Sequence, residues 1–266
     1  MAQTVVLITG ANQGIGFEVA KQILESNKNY YILLGSRDPE RGVKAAAELD
    51  PTGASVEPIT IDVTDDASIE RAAEQVASKH GRLDVLINNA GINNEIDIAL
   101  ARMKREKEGT TEEPTMPLTE LRKLYREAYE VNVFGAAAVT EAFTPLLEKA
   151  AALPPRIVFV SSHTGSMGIR SDPSQEMYPR QHKPNGPIYR SSKAALNMLM
   201  LHYAAFFEDK GGKVNASCPN LTGTNFTRGM GGRPVSESAV NIVRLATLVK
   251  DGETGTYSDE NGPVPW

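Results

Sequence analysis

The sequence predicts an α/β protein of the doubly wound type: a mostly parallel sheet of about seven strands with helices on both faces. Short β-branched runs alternate along the chain with longer amphipathic stretches, as strand–helix–strand units require. A glycine-rich turn also lies between the first such run and the first amphipathic stretch, where sheets of this kind open a nucleotide cleft. The 266 residues suit one unit of this size, and 41% hydrophobic residues can fill its core, so residues 1–266 are expected to form a single domain.

Taken in order, the expected strands cover residues 5–9, 30–35, 55–61, 83–88, 156–161 and 213–217, with a last short one over 255–258. Helices are expected over residues 14–26, 39–49, 66–79 and 191–207, and Asp65 or Asp66 stands where the third would be capped. Two insertions break the rhythm. Residues 95–117 are charged and then rich in Thr and Pro; residues 96–108 suit a polar helix and the rest a loop. Residues 165–187 hold Pro173, Pro179, Pro184 and Pro187, which exclude a continuous helix. Irregular segments this long inside a domain commonly serve as lids.

Composition narrows the function classes. The net charge of −5 is spread over charges of both signs, so no basic face for nucleic acid or anionic lipid is expected. The apolar run at residues 5–8 is too short to span a bilayer, and no other stretch approaches the needed length. Cys218 is the only cysteine, so no internal disulfide forms; with no export signal in view, a cytoplasmic location is expected. Sequons at Asn215, Asn220 and Asn225 are then coincidental. His80, His163, His182 and His202 show no ligand spacing, so no metal is expected, and Cys218 suits a small buried residue better than a nucleophile.

The glycine turn reads Thr9-Gly10-Ala11-Asn12-Gln13-Gly14-Ile15-Gly16. Glycine serves the tight turn, the close approach of backbone to a pyrophosphate and the packing of helix on strand, while the helix start offers free N–H groups to the phosphates. Three residues separate the first two glycines and one separates the last two, a spacing that resembles the short-chain dehydrogenase/reductase superfamily, with its single-domain Rossmann fold. The resemblance runs along nearly the whole chain and looks closest to carbonyl-reductase-like members.

About twenty residues past the glycines, where NAD enzymes place an acid on the ribose, this chain has Ser36 followed by Arg37 and, a turn later, Arg41. Guanidinium groups suit a phosphate, and the segment is similar to NADPH-dependent carbonyl reductases, which implies NADPH/NADP+ as cofactor. The alternative is that Arg37 and Arg41 are both solvated helix-start charges, and Asp38 between them could partly neutralise the pocket. Asp62-Val63 closes the third strand; the resemblance gives Asp62 to the adenine amino group, while an acid there could equally serve a helix start. Asn88-Asn89-Ala90-Gly91 ends the fourth strand, where such sheets deliver ligand contacts, and matches the family's N-N-A-G, which assigns Asn89, Ala90 and Gly91 to the cofactor.

Tyr189-Arg190-Ser191-Ser192-Lys193 carries the chemistry. Positions i and i+4 share a helix face, so Tyr189 and Lys193 would enter one site. A phenol titrates near 10, and a close ammonium would lower it toward working pH. A bare Y-x-x-x-K recurs by chance; with the glycine turn and N-N-A-G it becomes specific. The resemblance then selects Ser162 of Ser161-Ser162 to hold the substrate oxygen, with Ser161 bonding the strand end. It gives Asn132 the backbone carbonyl of a water relay to Lys193, and Tyr189 and Lys193 contacts to the cofactor as well. Pro219, Thr222 and Thr224 match its P-G-x-x-x-T, with Asn220 replacing the glycine; Thr224 is the favoured contact.

These expectations add up to NADPH-dependent reduction of a ketone or aldehyde, with Tyr189 as general acid and a small-molecule carbonyl as the only partner. The alternatives are a dehydratase or epimerase using transient oxidation, and a non-catalytic NADP(H)-binding sensor or scaffold. Both insertions fall before helices that pair in oligomeric members, and charge is scarce in interface cores, so a monomer with a partly covered pocket is expected.

Overall fold

The first strand sets the architecture: Val5 and Leu7 pack into one apolar cluster, Val6 and Ile8 into another on the opposite side of the sheet. Alternate side chains of a strand point to opposite faces, so a strand apolar at every position is buried from both sides. The computed structural model describes residues 3–26, 29–109, 116–151, 154–174, 186–228 and 231–266.

Strands and helices alternate from the start: β1 (Thr4–Ile8), α1 (Gly14–Ser26), β2 (Tyr30–Ser36), α2 (Pro39–Leu49), β3 (Val56–Thr60), α3 (Asp66–His80) and β4 (Val85–Asn88). Then come α4 (Ile96–Lys107), α5 (Leu118–Tyr129), a π-helical turn (Glu130–Gly135) and α6 (Ala136–Leu147). The chain continues through β5 (Arg156–Val160), α7 (Met167–Ser171), α8 (Pro187–Phe206), β6 (Lys213–Ser217), α9 (Val235–Ala246), β7 (Tyr257–Asp259) and β8 (Gly262–Pro263). The strand order is β3-β2-β1-β4-β5-β6-β7-β8, parallel up to β7 and antiparallel only at β7–β8.

Helices α3, α6 and α8 bury Ile69, Phe143 and Met200 on one face of the sheet. Helices α1, α2 and α9 bury Ile23, Ala46 and Ile242 on the other. The order reverses between β1 and β4, so the loops leaving their carboxyl ends diverge and open a crevice.

The expected elements are found, with three differences. β8 is an added, two-residue antiparallel strand. Helix α8 begins at Pro187, four residues before the expected start, because proline is suited to the first helical position and Gly186 turns into it at φ 74. The helix that carries Asn132 is interrupted by the π turn. Asp65 caps α3, accepting from the backbone N–H of Ala67 and Ser68. Among the described residues of the two insertions, α4 and α7 are helical and Pro187 opens α8; Pro179, Pro184 and His182 lie outside the described residues. No helix among the described residues is long and apolar enough to cross a membrane.

Candidate active site

The glycine turn is built by its neighbours. Gly10 and Gly14 lie at φ 63 and 62, the left-handed region that favours glycine. A Cβ at Gly16 would fall 2.5 Å from Asn89 Nδ2. That amide donates to the carbonyls of Thr9 and Gly10 at 2.9 and 3.1 Å, so the N-N-A-G element clamps the turn and Gly16 makes room for the clamp. Thr9 Oγ1 completes it, accepting from the N–H groups of Asn89 and Ala90, both at 3.0 Å.

Where the crevice meets α2, the Ser36 hydroxyl donates to the Asp38 carbonyl at 2.7 Å. Arg37 and Arg41 are exposed and line the crevice, leaving them as its cationic groups there. Asp38 both caps α2 and pairs with Arg41 Nε at 3.2 Å. Asp62 Oδ1 accepts from the backbone and hydroxyl of Thr64 at 3.0 and 2.8 Å. Asp65, not Asp62, is the N-cap of α3, and Asp62 stands in the turn that leads into it. Val63 packs under Gly135, where a Cβ would meet the Val63 carbonyl at 2.6 Å.

At the other end, Lys193 is 4% exposed, and its Nζ donates to the Val160 carbonyl at 2.8 Å. Burial lowers its pKa to about 8. The ammonium lies 5.7 Å from the centre of the Tyr189 ring, one helical turn away. Phe226 packs edge-on against that ring at 5.8 Å. Ser162 follows β5 and caps a short turn, its Oγ accepting from Thr164 N–H at 3.3 Å and Thr164 Oγ1 at 3.0 Å. Ser161 is 2% exposed and donates to the Asn197 side chain at 2.5 Å, so it holds the strand to α8 and does not bond backbone at the strand end as expected. Gly165, two residues past His163, rests on Lys193 itself: a Cβ there would lie 2.7 Å from the Lys193 carbonyl carbon.

Asn132 is 1% exposed and does not line the crevice. Its amide bonds both backbone groups of Ile92 at 2.8 and 2.9 Å and donates to Ser192 Oγ at 3.0 Å, joining the β4 loop to α8.

In the loop after β6, Asn220 adopts φ 61, so it takes the left-handed turn in place of glycine; its Nδ2 donates to Asp259 and Glu260. Thr222 is 3% exposed and its hydroxyl bonds Ser238 Oγ at 2.8 Å, which makes it a pin for the loop. Thr224 is half-buried and approaches the glycine turn, its Cγ2 3.7 Å from where a Gly14 Cβ would stand. Cys218 is buried; that burial pushes its thiol up to about 12, and it accepts from His163 and Asn220 N–H groups. His163 pairs with Asp259 at 3.1 Å.

One crevice of about 1530 Å³ runs from Arg37 and Arg41 past the glycine turn to Ser162, Tyr189 and Lys193. Of the residues selected from the sequence, Gly16 and Asn132 alone fall outside its lining, and each packs directly behind it. Sequence reasoning missed Thr9, Asn197 and Glu95. Thr9 stands beside the glycine turn and could have been found there; Asn197 sits one turn beyond Lys193 and signals nothing by itself. Glu95 is a 7% exposed carboxylate at the substrate end, read only as the start of a charged insertion.

A dinucleotide fits this crevice on three counts. Two left-handed glycines open α1, whose first turn carries no acid to repel a pyrophosphate. Arg37 and Arg41 line one end, and Lys193 stands 5.7 Å from the Tyr189 ring centre at the other. A profile of the short chain dehydrogenase family matches residues 4–232. "Short-chain dehydrogenase anuI" of Penicillium roqueforti is 39% identical over 248 residues, covering 93% of this chain and 90% of that protein. Salutaridine reductase of Papaver bracteatum is 30% identical, covering 95% of this chain and 93% of that one. The structure of NADPH-bound carbonyl reductase from chicken fatty liver superposes with a TM-score of 0.78 at 28% identity, covering 100% of both chains. The geometry and the relatives agree: the chain belongs to the short-chain dehydrogenase/reductase family and is an oxidoreductase of that family, using NAD(H) or NADP(H).

Proposed function

We propose that this protein reduces a ketone or aldehyde to the alcohol with NADPH, Tyr189 acting as general acid. The observation that carries the reading is the dry Lys193 ammonium one turn from Tyr189, on a crevice that Ser162 also lines. Bound NADPH would supply the hydride that the carbonyl carbon receives. Ser162 orients the carbonyl oxygen and Tyr189 donates its phenolic proton to it. Lys193 eases that transfer by its charge and holds the ribose hydroxyls, and the Asn132 carbonyl supports a water that returns the proton. Arg37 and Arg41 take the 2′-phosphate, which favours NADPH, and a carbonyl reductase solved with NADPH is among the similar structures. Asp62 and Val63 hold the adenine, while Asn89, Ala90, Gly91, Pro219 and Thr224 hold the rest of the dinucleotide.

Residues 1–266 act as one cytoplasmic, monomeric unit, with the insertions at 95–117 and 165–187 covering the substrate side. The test is consumption of NADPH absorbance over a ketone panel. Tyr189→Phe should lower kcat by roughly 10²–10⁴-fold with little change in NADPH affinity. A mutant keeping half the turnover would sink the assignment, and no turnover with any ketone would favour a sensor.

A further inference from the structure

The catalytic helix starts badly by its own means. Tyr189 is only the third residue of α8, whose N-cap is Gly186, with no side-chain cap and no acid in the first turn. The first N–H groups of a helix lack intrahelical partners, and a local Ser, Thr, Asp or Asn usually takes them. Here the acceptor comes from far along the chain. Glu95 Oε2 accepts from the Tyr189 N–H at 2.7 Å, and the neighbouring Ile188 N–H also favours its charged form. A carboxylate at a helix N-terminus is also favoured by the helix dipole.

We propose that Glu95 is a positioning residue for the reaction: it caps α8 in place of a local cap and so holds the Tyr189 backbone, and with it the phenol, at the reacting carbonyl. The proposal rests on the reading of Tyr189 as proton donor. A cap on this turn matters more than a cap elsewhere, because the anchored amide belongs to the proton donor itself. Burial pushes the Glu95 carboxyl up, opposed by the two backbone N–H groups and by Arg190.

Glu95 also ties the substrate side to the chemistry. Its carbonyl accepts from Ala99 N–H, so it opens α4, whose Asp97 forms an exposed ion pair with Arg228 at 3.4 Å. Ile96 and Ala99 of α4 line the crevice with Tyr189. Displacement of α4 is thereby passed to the proton donor through one side chain.

The test uses Glu95→Ala and Glu95→Gln in the full chain, read by backbone amide exchange and steady-state kinetics with the ketone turned over fastest in the panel. Glu95→Ala should speed exchange at Tyr189 by about tenfold or more, while the rest of α8 keeps its protection. Its kcat should fall by roughly 10–100-fold through misplacement of the donor, with NADPH Kd within about twofold of wild type. Glu95→Gln keeps an acceptor oxygen and should recover most of both losses. If Glu95→Ala does not fold, Glu95→Asp, one methylene too short, takes its place. Unchanged exchange in the shortened variant, or Gln as impaired as Ala, overturns the proposal. Exchange reads the anchor whatever Tyr189 does, so an active Tyr189→Phe alongside lost protection would instead count against the acid assignment.

Discussion

Lys193→Met separates what the buried ammonium costs the fold from what it does for the reaction. In the protein without cofactor, burial lowers the Lys193 pKa from 10.5 to about 8. At about 1.36 kcal/mol per unit, keeping the charge dry costs roughly 3 kcal/mol at neutral pH, set against its bond to the Val160 carbonyl. The folded pKa lies below the unfolded one, so the unfolded chain binds more protons between pH 8 and 10.5. Stability from this group is therefore fully present above about 10.5 and is lost as the pH falls through 8. Methionine has no such titration. Wild type should gain about 2–3 kcal/mol over Lys193→Met on going from pH 7 to pH 10, whatever the offset from the orphaned Val160 carbonyl. Cys218, its thiol pushed up to about 12, stays neutral in that window. The assay is urea denaturation of both proteins without cofactor at the two pH values, and taking the difference cancels every other titrating group. A wild-type-minus-mutant stability that is flat in pH would refute the argument. The same mutant should lose roughly 10²-fold or more in kcat.

Further outcomes follow from the site. Ser36→Asp with Arg37→Ala should weaken NADPH and favour NADH, since an acid repels the 2′-phosphate and accepts from free ribose hydroxyls; wild type preferring NADH in kcat/KM would refute this. Gly165→Ala drives a Cβ to 2.7 Å from α8 backbone, which cannot yield, and should cost about 1–3 kcal/mol in denaturant titration while lowering kcat through Ser162. Light scattering at micromolar concentration should give a monomer of 28.8 kDa, and a stable dimer or tetramer would contradict it.

What could be read from the sequence is what the chain writes locally. The glycine turn, the N-N-A-G corner and the Tyr189–Lys193 pair depend on spacings of one to five residues, and a strand or helix converts such spacings directly into a shared face. The alternation that placed α1 and α2 to the residue is of the same kind. Tertiary structure decided which hydroxyls and carboxylates have partners. Ser36 and Thr222 were selected as cofactor contacts and do line the crevice, but only the folded structure shows that their hydroxyls also bond Asp38 and Ser238. Ser161 turned to Asn197, and the Asn132 side chain bonds Ile92 and Ser192, 40 and 60 positions away. Glu95 was lost among the charges of an insertion, although it is buried and caps a helix 94 positions further on. A polar side chain's role is set by whichever donors packing brings within 3 Å of it, and the chain's order carries no record of those distances.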